Sequence, residues 1–366
     1  MTQSRAEFKG LPRSAPAAIL QSLPEAMKFQ GKRKLIARVG ARTGVTRLVE
    51  ALPRRPSLLI LNYHRVGDAE KTPYDCGSFS CTAGEFEWQV GYLKRRFQIV
   101  DLDAAVEIVH GRTKPRRTSL LITFDDGYRD NYETAFPILR AHGVPASFFL
   151  PTAFIGTELL AWWDVIAGIL KTSRNERVTI AYPKPAELDL TSPHRSQSIK
   201  TALKLFKLPA VTDTERFIRE LESACGVERP AGGAERCFMN WDEAREMQAG
   251  GMAFGSHSHS HEILGKLPYA SQLEQLTLSR RILERELGRS IFTLAYPVGQ
   301  RESFNDETFQ ALAAARYTTA FSFYSGVNIP GKIRPYDVLR AGVEDEDRSS
   351  FRLRLALRAA TRRELF

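Results

Sequence analysis

An unbroken apolar run must be covered on every side, and this chain has two that are too short to be helices. SLLILNYH, residues 57–64, is bounded by Pro56 and Gly67, and SLLITF, residues 119–124, leads straight into Asp125-Asp126-Gly127. Both read as buried strands. Helical patterns lie between and after them. GEFEWQVGYLKRRF, residues 84–97, sets Phe86, Val90 and Leu93 at helical spacing. QIVDLDAAVEIV reads as a short strand, an Asp cap and a helix. A further helix turns Tyr132, Phe136 and Leu139 inward, and HGVPASFFLP reads as helix end, turn and third strand. Such alternation predicts an α/β fold with parallel strands. Functional residues then gather at the C-terminal ends of strands, where Asp125, Asp126 and His64 all fall.

Residues 157–240 break the rhythm with Trp162-Trp163-Asp164, a polar stretch and helical segments near 196–225, and read as an insertion or lid. Alternation resumes with helices at about 241–249, 270–287 and 305–315 and strands at 291–297, near 317–322 and near 336–343, a barrel-like set. The main body is thus 56–346, between a basic extension, 1–55, and a basic C-terminal helix, 347–366. Of the net charge of +10, the extension holds twelve Lys/Arg against three Glu, and 347–366 holds six Arg against two acids. The body is slightly acidic, which argues against a nucleic-acid partner and leaves the basic ends for peripheral contact with acidic lipid. Residues 31–52 read as a basic helix docked on the body, weakened by two interior glycines. No run approaches about 18 apolar residues, and the first 30 residues hold no apolar core of signal-peptide length. The expected location is cytoplasmic, at most peripheral to the inner membrane face, with Cys76, Cys81, Cys225 and Cys237 as free thiols.

Two features carry chemistry. Adjacent carboxylates at a strand end can divide labour, one ligating a metal while the other accepts a proton; the plain alternative is a turn at Asp126-Gly127 with Asp125 as a helix cap. GSHSHSH, residues 255–261, holds three of the seven histidines. On a strand all three share a face, whereas on a helix only His257 and His261 do, so spacing alone leaves two ligands or three open. Two histidines and a carboxylate suit a catalytic metal site with one open position.

Together, TFDDG at 123–127 and HSHSH at 257–261 resemble the polysaccharide deacetylases, the carbohydrate esterases (family 4) with the NodB homology domain. The resemblance covers roughly 57–155 and 240–345. It implies a distorted (β/α) barrel and removal of N-acetyl groups from an amino-sugar glycan. It also implies Asp126, His257 and His261 as ligands of a divalent metal, most simply Zn²⁺, and Asp125 as general base. A short helical turn would then bring His257 and His261 together and send His259 away. The family's third motif, which supplies a backbone N–H to the oxyanion, is nearest to Leu294–Gly299, with Tyr296 and Pro297 as substrate-binding candidates.

The chain departs from the family in two places. The arginine that orients the base is missing from the third motif, and Arg340 in VLRAG is the candidate replacement. The late histidine that protonates the leaving amine is missing too, because no histidine follows His261. His64, in LNYH at a strand end, becomes the candidate acid. Trp163, with Trp162, is a candidate sugar-stacking group; the alternative is that the pair packs the insertion onto the barrel. Two other functions keep the fold, hydrolysis of a non-sugar amide and carbohydrate binding without catalysis.

Overall fold

The computed structural model describes residues 37–52, 56–232, 236–344 and 346–361. Twelve strands are formed among them: β1 (Leu58–Tyr63), β2 (Arg65–Val66), β3 (Phe79–Cys81), β4 (Gln98–Ile99), β5 (Ser119–Asp125), β6 (Ser147–Leu150), β7 (Arg177–Ile180), β8 (Ala186–Asp189), β9 (Ala253–Ser256), β10 (Thr293–Ala295), β11 (Thr319–Phe321) and β12 (Ala341–Gly342). The main sheet runs β11-β10-β9-β6-β5-β1-β12, with β4 on the start of β5, and every pairing in it is parallel. Val338 bridges Phe321 while Ala341 pairs with Leu61, so the last segment links β11 back to β1 and the sheet curls into a distorted barrel.

Strand alternation sorts the two apolar runs. Leu59, Leu61, Leu120, Ile122 and Phe124 join the core under the helices. Leu58, Ile60, Leu121, Phe149, Phe321 and Val338 fill the interior, with the helix Leu102–Val109 packed among them. Asn62, Thr123 and Asp125 continue the inward rows, and because all strands run one way their C-terminal ends share one rim.

The expected strand at 336–343 is mostly irregular. The Asn328 amide donates to Leu339 O (2.8 Å) and accepts from Leu339 N (2.9 Å), replacing a ladder neighbour. The insertion contains the helices Trp162–Thr172, Arg195–Lys207 and Thr214–Cys225 and an antiparallel β7–β8 hairpin that the polar sequence did not announce. Of the predicted helix at 31–52, residues before 37 lie outside the described ones. The remainder is helical at 37–42 and Val45–Ala51, broken where Gly44 takes φ 80°. It packs on the helix Arg348–Thr361, where Glu50 accepts from Arg352 (2.9 and 2.8 Å) and from Tyr92 OH (2.9 Å). All four cysteines are free thiols. Among the described residues, no helix is long and apolar enough to cross a membrane.

Candidate active site

The β5 strand delivers Asp125 on its inward row, and Asp126 follows at φ 73°. That left-handed conformation is costly for a non-glycine residue, and it lets two consecutive side chains reach one cavity. Gly127, at φ 69°, completes the bend; a Cβ there would meet Leu150 at 2.7 Å.

Asp125 is clamped. Arg340 Nη1 donates to Oδ1 and Nη2 to Oδ2, each at 2.7 Å, and Asn62 Nδ2 donates to Oδ2 at 3.0 Å. The guanidinium is fully buried, donates also to Asn62 Oδ1 (2.7 Å) and Ser322 O (3.1 Å), and lies near the Phe149 and Phe323 rings. Burial pushes the Asp125 carboxyl up, but Arg340 foremost, then His257, outweigh it and hold the group below its ordinary range. Arg340, the expected substitute for the arginine missing from the third motif, is thus forked onto Asp125.

Asp126 faces His257 and His261. Its Oδ1 lies 3.4 Å from His257 Nε2 and 3.3 Å from His261 Nε2, yet this buried oxygen has no hydrogen-bond donor. Donor atoms about 2.0–2.1 Å from a tetrahedral zinc stand roughly 3.3–3.4 Å apart, so the orphaned oxygen and two imidazoles fit a metal ion. Among the described residues this is the one cluster of His, Cys, Asp and Glu close enough to hold one. His257 Nδ1 is paired with Ala295 O at 2.8 Å, which orients Nε2 toward Asp126. Burial works against the charge of Asp126, but the approach of His257 and His261 holds its carboxyl well below the usual value. Burial lowers His261, with further lowering from His257, whereas Asp125 and Asp126 overcome burial to raise His257.

The histidines are not on a helical turn. They sit in the loop after β9, with Ser258 at φ 62° and His261 at φ 56°. The serines brace that loop: Ser256 Oγ accepts from Ser258 N (3.1 Å), Ser258 Oγ accepts from His261 N (3.1 Å), and Gln275 Nε2 donates to Ser260 Oγ (2.8 Å). His259 turns away, with Nδ1 2.8 Å from Thr152 Oγ1.

His64 borders the same cavity of about 220 Å³ as Asp125, Asp126, His257 and His261. It follows β1 on the inward row of Asn62, its ring edge-on to Phe323, and among the described residues its imidazole has no hydrogen bond. His110 and His142 lie elsewhere, at Thr319 and Glu87.

Of the three substrate-binding candidates, Tyr296 and Trp163 border the cavity with most of their surface buried, and Pro297 does not border it. Tyr296 borders the cavity, but its ring stacks on Phe304 at 4.1 Å and its hydroxyl donates to Tyr336 O at 2.8 Å, so the side chain is spent on packing. Its N–H donates to Phe321 O. Pro297 is buried behind the wall, and its carbonyl accepts from Gly299 N at 2.7 Å. That i to i+2 bond closes a γ-turn around Val298, at φ 63°, a rare and strained conformation for a β-branched residue. Val298 lines the cavity, and among the described residues its N–H has no acceptor. Trp163 is only 6 % exposed; its ring centre lies 4.4 Å from that of His261, and Nε1 donates to Tyr128 OH. It borders the cavity while its buried ring packs against a candidate ligand. Trp162, stacked on Phe206 at 4.3 Å, keeps a partly exposed edge.

Asp75, Ser78 and Lys207 also line the cavity without having been expected there. Nothing in TPYDCGSFS marks that loop. Asn62 and Val298 were within reach, from inward alternation and from standing next to Pro297.

Residues 112–188 and 189–320 match the polysaccharide deacetylase family model. The chain belongs to the polysaccharide deacetylase family. The YxkH protein of Bacillus subtilis is 33% identical over 100 residues, which are 27% of this chain and 33% of that one. The poly-β-1,6-N-acetyl-D-glucosamine N-deacetylase of Staphylococcus aureus is 31% identical over 121 residues, 30% of this chain and 41% of its own. The chain thus aligns with less than half the length of these curated relatives. In fold it is similar to IcaB from Ammonifex degensii, with a TM-score of 0.54 and 19% identity over 85% of this chain and 100% of that one.

Proposed function

We propose that this chain is a metal-dependent hydrolase that removes the N-acetyl group from an amino sugar in a polysaccharide, oligosaccharide or lipid-linked glycan. The observation that carries the reading is the orphaned Asp126 Oδ1, buried 3.3–3.4 Å from two imidazole nitrogens and adjacent to an ionised Asp125. Asp126, His257 and His261 would hold the ion, and zinc suits that donor set. When bound, the ion supplies a water of lowered pKa and a Lewis acid for the amide carbonyl.

The chain's own residues do the rest. Arg340 and Asn62 place three donors on Asp125, two of them on Oδ2, which leaves lone-pair capacity on Oδ1 to take a proton. A carboxylate held this firmly ionised is a weak base, able to serve only a water whose acidity has already been raised. Its place beside a metal triad supports that pairing. His64, whose imidazole has no hydrogen bond among the described residues, would give a proton to the departing amine. The Val298 N–H is the available backbone donor for the developing oxyanion. The name of the S. aureus relative makes β-1,6-linked N-acetylglucosamine the first substrate to try.

The test is acetate release from N-acetylglucosamine oligomers by native, metal-stripped and Asp125→Asn protein, with metal content measured in each. Asp125→Asn should keep the ion and lose turnover, while Asp126→Ala should lose both. Turnover that survives Asp125→Asn or stripping sinks the assignment. The exposed Val39, Val45, Leu48 and Leu52, beside Arg38, Arg42 and Arg47, support peripheral contact with an acidic membrane face. Flotation on anionic vesicles, with and without residues 1–52, checks that reading.

A further inference from the structure

A second cavity, of about 350 Å³, lies against the first, and Trp162 and His261 line both. Its walls come from the insertion and from the loop that follows the histidines. Phe154, Trp162, Phe206, Val211, Ile218 and Leu267 form an apolar wall in a cavity whose surface is slightly more apolar than polar. A sugar ring would need several unclaimed donors and acceptors there, because buried polar groups without partners are costly. Most of its charged lining is committed within the protein, although the buried His261 Nδ1 has no hydrogen-bond partner. Arg229 is forked onto Glu222 and Glu215, Lys266 Nζ donates to Phe206 O (2.9 Å) and Val211 O (3.3 Å), and Ser260 Oγ accepts from Gln275 (2.8 Å). Glu262, the remaining charged group, is exposed.

We propose that this cavity receives the apolar chain of an amphiphilic amino sugar whose head group occupies the catalytic cavity. The inference deepens the hydrolase reading and rests on it for the head group. It commits to a single alkyl, acyl or prenyl chain: the apolar walls suit hydrocarbon, and the shared Trp162 and His261 place that chain next to the bond to be cut.

Dodecyl β-D-glucoside, below its micelle concentration, is the probe for calorimetry, because it has the chain but no acetamide. The native protein should bind it with a negative heat-capacity change. Affinity should rise by about fourfold per methylene along an alkyl series until the cavity is filled. Leu160→Glu introduces a charge at a partly exposed lining position, and Val165→Phe fills space. Each should weaken dodecyl glucoside at least tenfold, leaving kcat/KM for methyl β-N-acetylglucosaminide within about twofold of native. Circular dichroism confirms that both variants fold. Dodecyl glucoside binding that is absent, or unchanged in both folded variants, overturns the proposal. So does loss of N-acetylglucosamine pentamer affinity in both variants with dodecyl glucoside untouched, the signature of a glycan subsite. Dodecyl glucoside binding without turnover of any acetylated sugar would sink the hydrolase reading and leave the apolar site standing.

Discussion

Three N–H donors converge on the Asp125 carboxylate, and they come from two residues far from it in sequence, Asn62 and Arg340. Removing the larger leaves a buried charge without its partner. Arg340→Leu should cost about 3–5 kcal/mol of stability, read as a lower midpoint in urea, and Arg340→Lys should restore part of it but not the forked geometry. At His64 the expectation is different. His64→Ala should lower kcat by about 10²–10⁴-fold with metal content unchanged in elemental analysis; loss of the metal as well would make His64 a ligand. The candidate ligands were legible because short motifs hold them, Asp125 beside Asp126 and His257 four residues from His261. Arg340 stands 215 residues from Asp125, and no local pattern reports such a pairing. Trp163 stayed open between two readings because an aromatic pair looks the same in sequence whether it faces a sugar or packs against a histidine.

Among the elements, the helix Trp162–Thr172 is tied to the loop beside the site through Asp164. This buried carboxylate accepts from Tyr128 OH (2.6 Å) and from Asp75 N (3.1 Å). Burial, the largest influence, pushes its pKa from 3.8 up to about 7, against the hydrogen bond from Tyr128. The folded state therefore holds this proton more tightly than the unfolded chain. The resulting stability is whole below pH 3.8 and is lost as pH rises through about 7. Asp164→Asn, neutral throughout, should gain on the native protein by up to about 4 kcal/mol between pH 4 and 8, measured by urea unfolding at each pH. At the other end of the chain, Glu50→Ala should free the helix Val45–Ala51 from Arg352 and Tyr92, speeding amide exchange there without changing turnover. The apolar strands were readable and the β7–β8 hairpin was not, because its outward residues are polar and its length gives little periodicity. The last strand failed for another reason: the Asn328 side chain takes the place of a backbone neighbour, which a strand pattern cannot express.

For the molecule as a whole, a parallel sheet curled into a barrel brings every strand end to one rim, so residues from 64 to 323 line one cavity. An ion held there binds the folded state alone and should stabilise all of it. Adding Zn²⁺ at about 100 times its Kd should raise unfolding free energy by about 2.7 kcal/mol, seen as a higher Tm in the native protein and no shift in Asp126→Ala. The α/β class and the barrel-like order were visible in the alternation of apolar runs; how the barrel closes was not.

That closure has a consequence for how the protein comes into being. Synthesis runs from the N-terminus, so Asp125 is made long before Arg340 leaves the ribosome. Until the segment around Val338–Gly342 docks between β11 and β1, the carboxylate lacks its guanidinium partner, and burying it as an ion would be prohibitively costly. The contact that closes the barrel is thus the same contact that keeps the Asp125 carboxylate ionised and aims it. A chain truncated before Val338 should therefore leave Asp125 without its guanidinium partner.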